Sequence, residues 1–136
     1  MRKKPAILIT AGPTREYIDS VRFISNASSG KMGSELAREA LRQGFKATII
    51  AGESLNDTKI LPRSSKTIYV RSAEDMFACV MMSLAAHDIF ISAAAVADYK
   101  PVAIKYGSNK TLAIPLKEKI KKSAGKSITL QLSPTP

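Results

Sequence analysis

The 136-residue sequence contains no tryptophan, one cysteine and one histidine. A single cysteine excludes an internal disulfide framework, and no Cys/His set with zinc-ligand spacing is present. A lone histidine leaves no Ser/His/Asp set of the hydrolase kind. Cys79 sits among Met76, Phe77, Val80 and Met81 and reads as a small core residue. His87 falls where a helix is expected to end and reads as a helix-end residue, not a general base. No apolar run approaches the roughly 18 residues of a membrane span. Met1-Arg2-Lys3-Lys4-Pro5 is basic, but the apolar run behind it is too short for a signal peptide, so a cytoplasmic location is expected. Aromatic residues are few, four Phe and four Tyr, and they are not interleaved with the basic cluster. That opposes a stacking platform for single strands. With no helix-turn-helix, zinc-finger or coiled-coil signature, nucleic acid is not the expected partner.

What is present suits one folded domain. Apolar residues make up 45% of the chain, and the net charge of +10 favours an anionic partner. Ile7-Leu8-Ile9-Thr10-Ala11 reads as a buried strand over residues 6–11. Residues 12–30 read as a long connection. A helix is expected from about Gly30 to Gln43, with Met32, Leu36, Ala37, Ala40 and Leu41 on its buried face and Gly44 as its stop. Lys46–Ala51 reads as the second strand, Glu53–Lys66 as a loop around Pro62, and Thr67–Val70 as the third strand. Ser72 then looks like an N-cap, with Met76, Phe77, Val80, Met81 and Leu84 facing inward on a second helix. Asp88–Ala93 reads as a fourth strand. Regular structure is hard to place from Pro101 to Lys126, and Ile128–Leu132 alternates as a last strand. Alternating strands and helices with continuous apolar strands predict an α/β fold with a parallel sheet covered on both faces. A last strand with no closing helix reads as a domain cut at its C-terminus.

Ligands of such sheets bind outside the carboxyl ends of the strands. Two of those ends are chemically distinctive. After the first strand comes Phe23-Ile24-Ser25-Asn26-Ala27-Ser28-Ser29-Gly30-Lys31-Met32-Gly33, a loop of hydroxyls, amides and glycines that opens a helix. Backbone N–H groups and the positive helix end make such a place an anion site, and Lys31 adds a point charge. It is not a P-loop: Ser25 stands where the first glycine belongs, and Met32 where the Ser/Thr belongs. Nor is it a dinucleotide fingerprint, because a long insertion separates Gly12 from Gly30 and Gly33. After the fourth strand comes Ala93-Ala94-Ala95-Val96-Ala97-Asp98-Tyr99. Its alanines leave room for a flat ligand, and Asp98 offers an acceptor or a metal ligand. Lys117-Glu118-Lys119-Ile120-Lys121-Lys122 is the densest basic run and a candidate phosphate-gripping segment.

Together, these three motifs closely resemble phosphopantothenoylcysteine synthetase, which in many bacteria is the C-terminal domain of a bifunctional coenzyme A biosynthesis protein. The resemblance implies a Rossmann-like three-layer fold and a two-step ligation. The carboxylate of 4'-phosphopantothenate attacks the α-phosphate of CTP, giving an acyl-cytidylate and pyrophosphate. Cysteine then displaces CMP, with Mg²⁺ assisting. Carried over by position, Gly12, Ser28, Ser29, Gly30, Lys31 and Met32 would hold the nucleotide phosphates. Ser92, Ala93, Ala94 and Asp98 would line its cytidine side, and the terminal Ser133, Pro134, Thr135 and Pro136 would also lie at the nucleotide. Asn26 would hold the acyl-cytidylate, Lys119 would stabilise phosphate charge in the first step, and Arg22 and Ala95 would lie near phosphopantothenate. A homodimer is implied, partly through Ala95–Pro101. The resemblance also implies an upstream flavin-dependent decarboxylase domain outside this chain, so no flavin is expected here. Other readings of the same residues are a Rossmann-like NAD(P)-binding oxidoreductase and a basic nucleic-acid-binding module.

Overall fold

The computed structural model describes residues 4–63, 65–107, 110–122 and 127–136. Ile7-Leu8-Ile9 and Ile49-Ile50 carry no polar face, so they are stable as strands only with both sheet faces covered. The chain meets that demand. Strand β1 (Ala6–Pro13) lies between β4 (Lys46–Gly52) and β6 (Ile89–Ala95), and β5 (Lys66–Val70) adds beyond β4. All four run parallel in the order β5-β4-β1-β6. Helix α1 (Lys31–Arg42) covers one face, where Ile7, Ile9, Ala11, Ile49 and Ala51 pack against Ala37 and Ala40. Helix α2 (Ala73–Ser83) covers the other, where Leu8, Ile50 and Val70 meet Met76 and Cys79. The period-2 alternation along β1 thus feeds two separate cores.

The expected strands and helices are all present, within a few residues at their ends. Ser72 caps α2 through a capping box: its hydroxyl accepts from the Asp75 amide, and the Asp75 carboxylate accepts from the Ser72 amide. His87 ends the 3-10 turn that follows, with its ring bonded to the Ser83 carbonyl and the Thr48 hydroxyl, a structural role.

The helix faces depart from expectation in detail. Met32 is 69% exposed, and the stripe of α1 that meets the sheet is Gly33, Ser34, Ala37 and Ala40. These are small residues, so the helix lies too close to the strands to admit a methionine. Leu36 and Leu41 flank the stripe. On α2 the contacts fall on Ala73, Met76 and Cys79, so Phe77 and Met81 sit on the flank and are more than half exposed.

The connection over residues 12–30 holds an unanticipated antiparallel hairpin, β2 (Arg15–Tyr17) with β3 (Phe23–Ser25). The stretch read as irregular after Pro101 forms β7 (Tyr99–Tyr106) and β8 (Lys110–Ala113). Pro101 is tolerated because the β7–β9 register shifts between Pro101 and Ala103. The last strand, β9 (Ile128–Pro134), joins this second sheet, order β8-β7-β9, rather than the parallel one.

One contact sets the position of α1. A Cβ built on Gly33 would stand 2.5 Å from the Ala11 Cβ and 3.1 Å from the Thr10 carbonyl oxygen. Neither neighbour can rotate away. Gly33→Ala is therefore expected to cost about 1–3 kcal/mol through overpacking, read as a lower urea midpoint at unchanged slope.

Candidate active site

The carboxyl ends of β1 and β6 lie side by side, with Gly12 opposite Ala94 and Pro13 opposite Ala95. Small side chains make this edge a low wall. Two threonines of the first strand and its exit hold it together. The Thr10 hydroxyl accepts from the Ala93 and Ala94 amides, both at 3.2 Å. The Thr14 hydroxyl accepts from the Ala97 amide at 3.0 Å, and the Thr14 amide donates to the Ala95 carbonyl. Both threonines are buried.

The loop after β3 docks onto the same edge. The Ser25 hydroxyl donates to the Thr14 carbonyl at 2.6 Å, and the Asn26 Nδ2 donates to the Val96 carbonyl at 3.0 Å. From there the chain enters α1 through Gly30, whose φ of +71° suits a glycine. No side chain caps this helix end. The Ser28 and Ser29 hydroxyls make long contacts to the Gly30 and Lys31 amides, at 3.3 and 3.4 Å. The first-turn amides beyond them have no intrahelical acceptor, and the helix dipole favours an anion beside them.

Several of the expected site residues therefore meet. Gly12, Ala93, Ala94 and Ala95 form the wall, Asn26 bridges to it, and Ser28 to Met32 form an open shelf at the helix end. Thr135 joins them: its amide donates to the Asp98 carbonyl, and its hydroxyl donates to the Ala97 carbonyl at 2.6 Å. Ser92 and Asp98 are exposed on this edge. Ser133 pairs with Lys100 and Pro134 with Tyr99, one strand away, and Pro136 is exposed at the end. Asp98 lacks company as a metal ligand. Among the described residues no three His, Cys, Asp or Glu side chains converge, so this donor set does not build a magnesium site by itself.

Arg22 is bonded within the β2–β3 turn and to the basic segment. The Arg22 Nη1 donates to the Asp19 carboxylate at 2.6 Å and to the Ile120 carbonyl at 3.1 Å. The Ile120 amide also donates to Asp19, at 2.9 Å, which brings the basic segment to the β2–β3 turn. The Lys119 side chain is exposed. Asp19 is fully buried and accepts from the Val21 and Arg22 amides as well. Burial alone would push its carboxyl up. The Ile120, Val21 and Arg22 amides and the guanidinium outweigh burial and hold the carboxyl well below the usual range.

Sequence reasoning gave no role to Thr14, Asp19 or Glu16. The Asp19 carboxylate bonds amides two and three residues on, a local turn habit visible in Asp-Ser-Val-Arg. Its bond to Ile120, and the Glu16 carboxylate bond to the Ala73 amide at 2.7 Å, are long-range and left no such signal.

Glu53, directly after β4, stands where a dinucleotide-binding domain carries its ribose-binding acid. Here that carboxylate is occupied. It accepts from the Tyr17 hydroxyl at 2.8 Å and from Arg71 at 3.1 Å, with Arg15 at 3.6 Å. Burial opposes ionisation, and these partners still bring its carboxyl below the usual range. Arg15 also stacks on Phe23 and Arg71 on Tyr17. A cleft of about 670 Å³ lies behind the hairpin, lined by Arg15, Tyr17, Arg71, Lys100 and Leu116 among others. None of its walls comes from Asn26 or residues 28–32, and Lys117 of the basic run is among its lining residues.

The fold is that of α/β domains with a mostly parallel sheet, whose ligands lie outside the carboxyl ends of the strands, and here an uncapped helix end opens at that edge. A family model described as the C-terminal domain of DNA/pantothenate metabolism flavoproteins matches residues 2–136, and the chain belongs to that family. It is 52% identical over 99 residues to the coenzyme A biosynthesis bifunctional protein CoaBC of Vibrio vulnificus (strain YJ016), covering 73% of this chain and 24% of that protein. A crystal structure of the C-terminal domain of a CoaBC protein aligns with a TM-score of 0.64 and 44% identity, over 74% of this chain and 49% of that one. The DNA/pantothenate metabolism flavoprotein of Streptococcus pneumoniae aligns with a TM-score of 0.77 and 25% identity, over 97% of this chain and 61% of that one. The chain spans about a quarter of the length of the curated relatives it matches.

The lowered Asp19 carboxyl has a consequence for stability. The unfolded carboxyl titrates near pH 3.9 and the folded one lower, so its contribution is complete above about pH 4 and declines as pH falls toward the folded value. Asp19→Asn is expected to cost about 2 kcal/mol at pH 7, and the difference from the parent should shrink below pH 4. Urea midpoints at pH 7, 5, 4 and 3 measure this.

Proposed function

We propose that this chain is the nucleotide-binding part of a phosphopantothenate–cysteine ligase of coenzyme A biosynthesis, using CTP. The observation that carries this reading is the Asn26–Val96 hydrogen bond, which joins the serine-glycine loop to the alanine-lined strand end beside the α1 N-terminus. A triphosphate laid on residues 28–32 meets amides and Lys31, while the pyrimidine lies along Gly12, Ala93 and Ala94. In the first step the phosphopantothenate carboxylate oxygen bonds to the α-phosphorus, and pyrophosphate leaves. In the second the cysteine amine bonds to the acyl carbon, CMP leaves, and the amine loses its proton. One Asn26 N–H is committed to Val96. Its other N–H remains to donate to an acyl-phosphate oxygen, and its Oδ1 remains to accept from a donor such as the incoming cysteine amine.

Lys119 and Lys31 supply positive charge opposite the developing pyrophosphate, an electrostatic role. Mg²⁺ would be held mainly by the triphosphate, since among the described residues no three acidic, His or Cys side chains converge, and it would neutralise phosphate charge. A homodimer fits the exposed Tyr99, Ile128 and Leu132 of the second sheet, which offer an apolar face. The occupied Glu53 carboxylate argues against an NAD(P)-binding oxidoreductase, and the scattered basic residues against a nucleic-acid module.

Calorimetric titration with CTP and Mg²⁺, with ATP and NADPH as comparators, tests the reading. Preferential CTP binding supports it; preferential NADPH binding overturns it. Asn26→Asp places an oxygen against the Val96 carbonyl in place of a donor. It is expected to lower cysteine-dependent CMP release by 10-fold or more, on the order of one charge-assisted hydrogen bond. In the full-length protein, unchanged release would remove Asn26 from the mechanism.

A further inference from the structure

We propose that Asp19 is a positioning residue: its buried carboxylate sets the basic segment Lys117–Lys122, and Lys119 on it, in register with the turn that leads into the phosphate loop. A carboxylate needed only to form a turn would be satisfied by the Val21 and Arg22 amides, at 2.9 and 2.8 Å. Asp19 goes further and takes the Ile120 amide, 101 residues away in sequence, at 2.9 Å. The guanidinium of Arg22 closes the arrangement, bonding both the Asp19 carboxylate and the Ile120 carbonyl. A second tie lies close by, from the Leu116 amide to the Ile18 carbonyl at 2.9 Å. Residues 116 and 120 are thus both fastened to residues 18–22, and the Ile120 side chain is buried.

The chemistry of the tie is suited to a cationic segment. The anchor consists of a desolvated anion, backbone amides and one arginine. It consumes no lysine ammonium, and Lys117, Lys119, Lys121 and Lys122 all remain exposed. Their charge is available to an anionic ligand while the backbone between them is held. From Arg22 the chain passes directly through β3 to Asn26, so one rigid turn links the anchor to the shelf. The class of ligand served is a polyphosphate. The inference rests on the proposed ligase reading only for the identity of that ligand.

Two measurements on the intact chain test it. Asp19→Asn keeps one acceptor oxygen and removes the charge. Hydrogen exchange at the Ile120 amide should accelerate roughly 10- to 100-fold in this variant, the loss of a bond to a charged acceptor. Binding of inorganic tripolyphosphate is then compared in the parent, Asp19→Asn, Lys119→Gln and the double variant. If Asp19 acts through Lys119, each single change weakens binding roughly 10-fold, and the double change weakens it little further. Should Asp19→Asn fail to fold, Ile120→Pro removes the distant amide donor from the tie and replaces it in the cycle, with Ile120→Ala as the control for the buried side chain. Unchanged Ile120 exchange, multiplicative losses in the double variant, or absence of tripolyphosphate binding by the parent overturns the proposal. Failure of the ligase reading shows itself separately: no pyrophosphate release from CTP, with the exchange and binding results intact.

Discussion

The close approach of α1 to β1 is the constraint from which the site follows. Gly33 lets the helix backbone come within van der Waals reach of Ala11 and the Thr10 carbonyl. Only at that distance does the α1 N-terminus open beside the strand ends, where its amides and dipole are useful. The same closeness restricts the helix stripe to Gly33, Ser34, Ala37 and Ala40 and turns Met32 outward. A larger residue at position 33 would therefore do more than loosen the core. It would move the open end of α1 away from the alanine-lined strand ends.

Around this contact, polar groups are buried where the chain leaves the sheet, and each has a partner from a different loop. Thr10 holds the end of β6, Thr14 holds the Ala95–Ala97 exit and the Ser25 entry, Glu16 takes the first amide of α2, and Asp19 takes the basic segment. Such groups cost stability when unpaired and fix geometry when paired. Four loops from distant parts of the sequence are thereby held to one strand exit and the hairpin that follows it. That is how an edge made mostly of loops is held in one geometry.

The parallel sheet and both helices were legible because their signals are local: apolar runs, a glycine stop after Gln43, and a serine cap with Asp75 three residues on. The loop that opens α1 was legible for the same reason. The hairpin was not, since β2 and β3 are three residues each and lie inside a long connection. The second sheet was hidden by Pro101, which argues against a central strand unless a register shift accommodates it. Met32, Phe77 and Met81 were placed inward because apolarity was weighed above size. Helix spacing names a face, but the closeness of the neighbouring strand decides which side chains fit on it. Thr14 and Asp19 act through partners far along the chain, and no local pattern announces such bonds.

The net charge of +10 is a poor guide to where a ligand binds until the cations are sorted by what they already touch. Arg15 and Arg71 lie on aromatic rings and share the Glu53 carboxylate. Arg22 is spent on Asp19 and the Ile120 carbonyl, and Arg38 and Arg42 pair with Glu35 and Glu39 one helical turn away. Lys100 is paired with Glu74. These arginines, with their planar forks, hold the fold together. Among the described residues, the charge outside these pairs lies mainly on exposed lysines, with Lys31 beside the helix end and the run Lys117–Lys122 among them. Lysine differs from arginine here in being a compact, flexible point charge that is not committed to a fixed planar geometry. The division leaves arginine in the architecture and puts lysine at both open places, Lys31 at the α1 end and Lys117 on the wall of the cleft behind the hairpin.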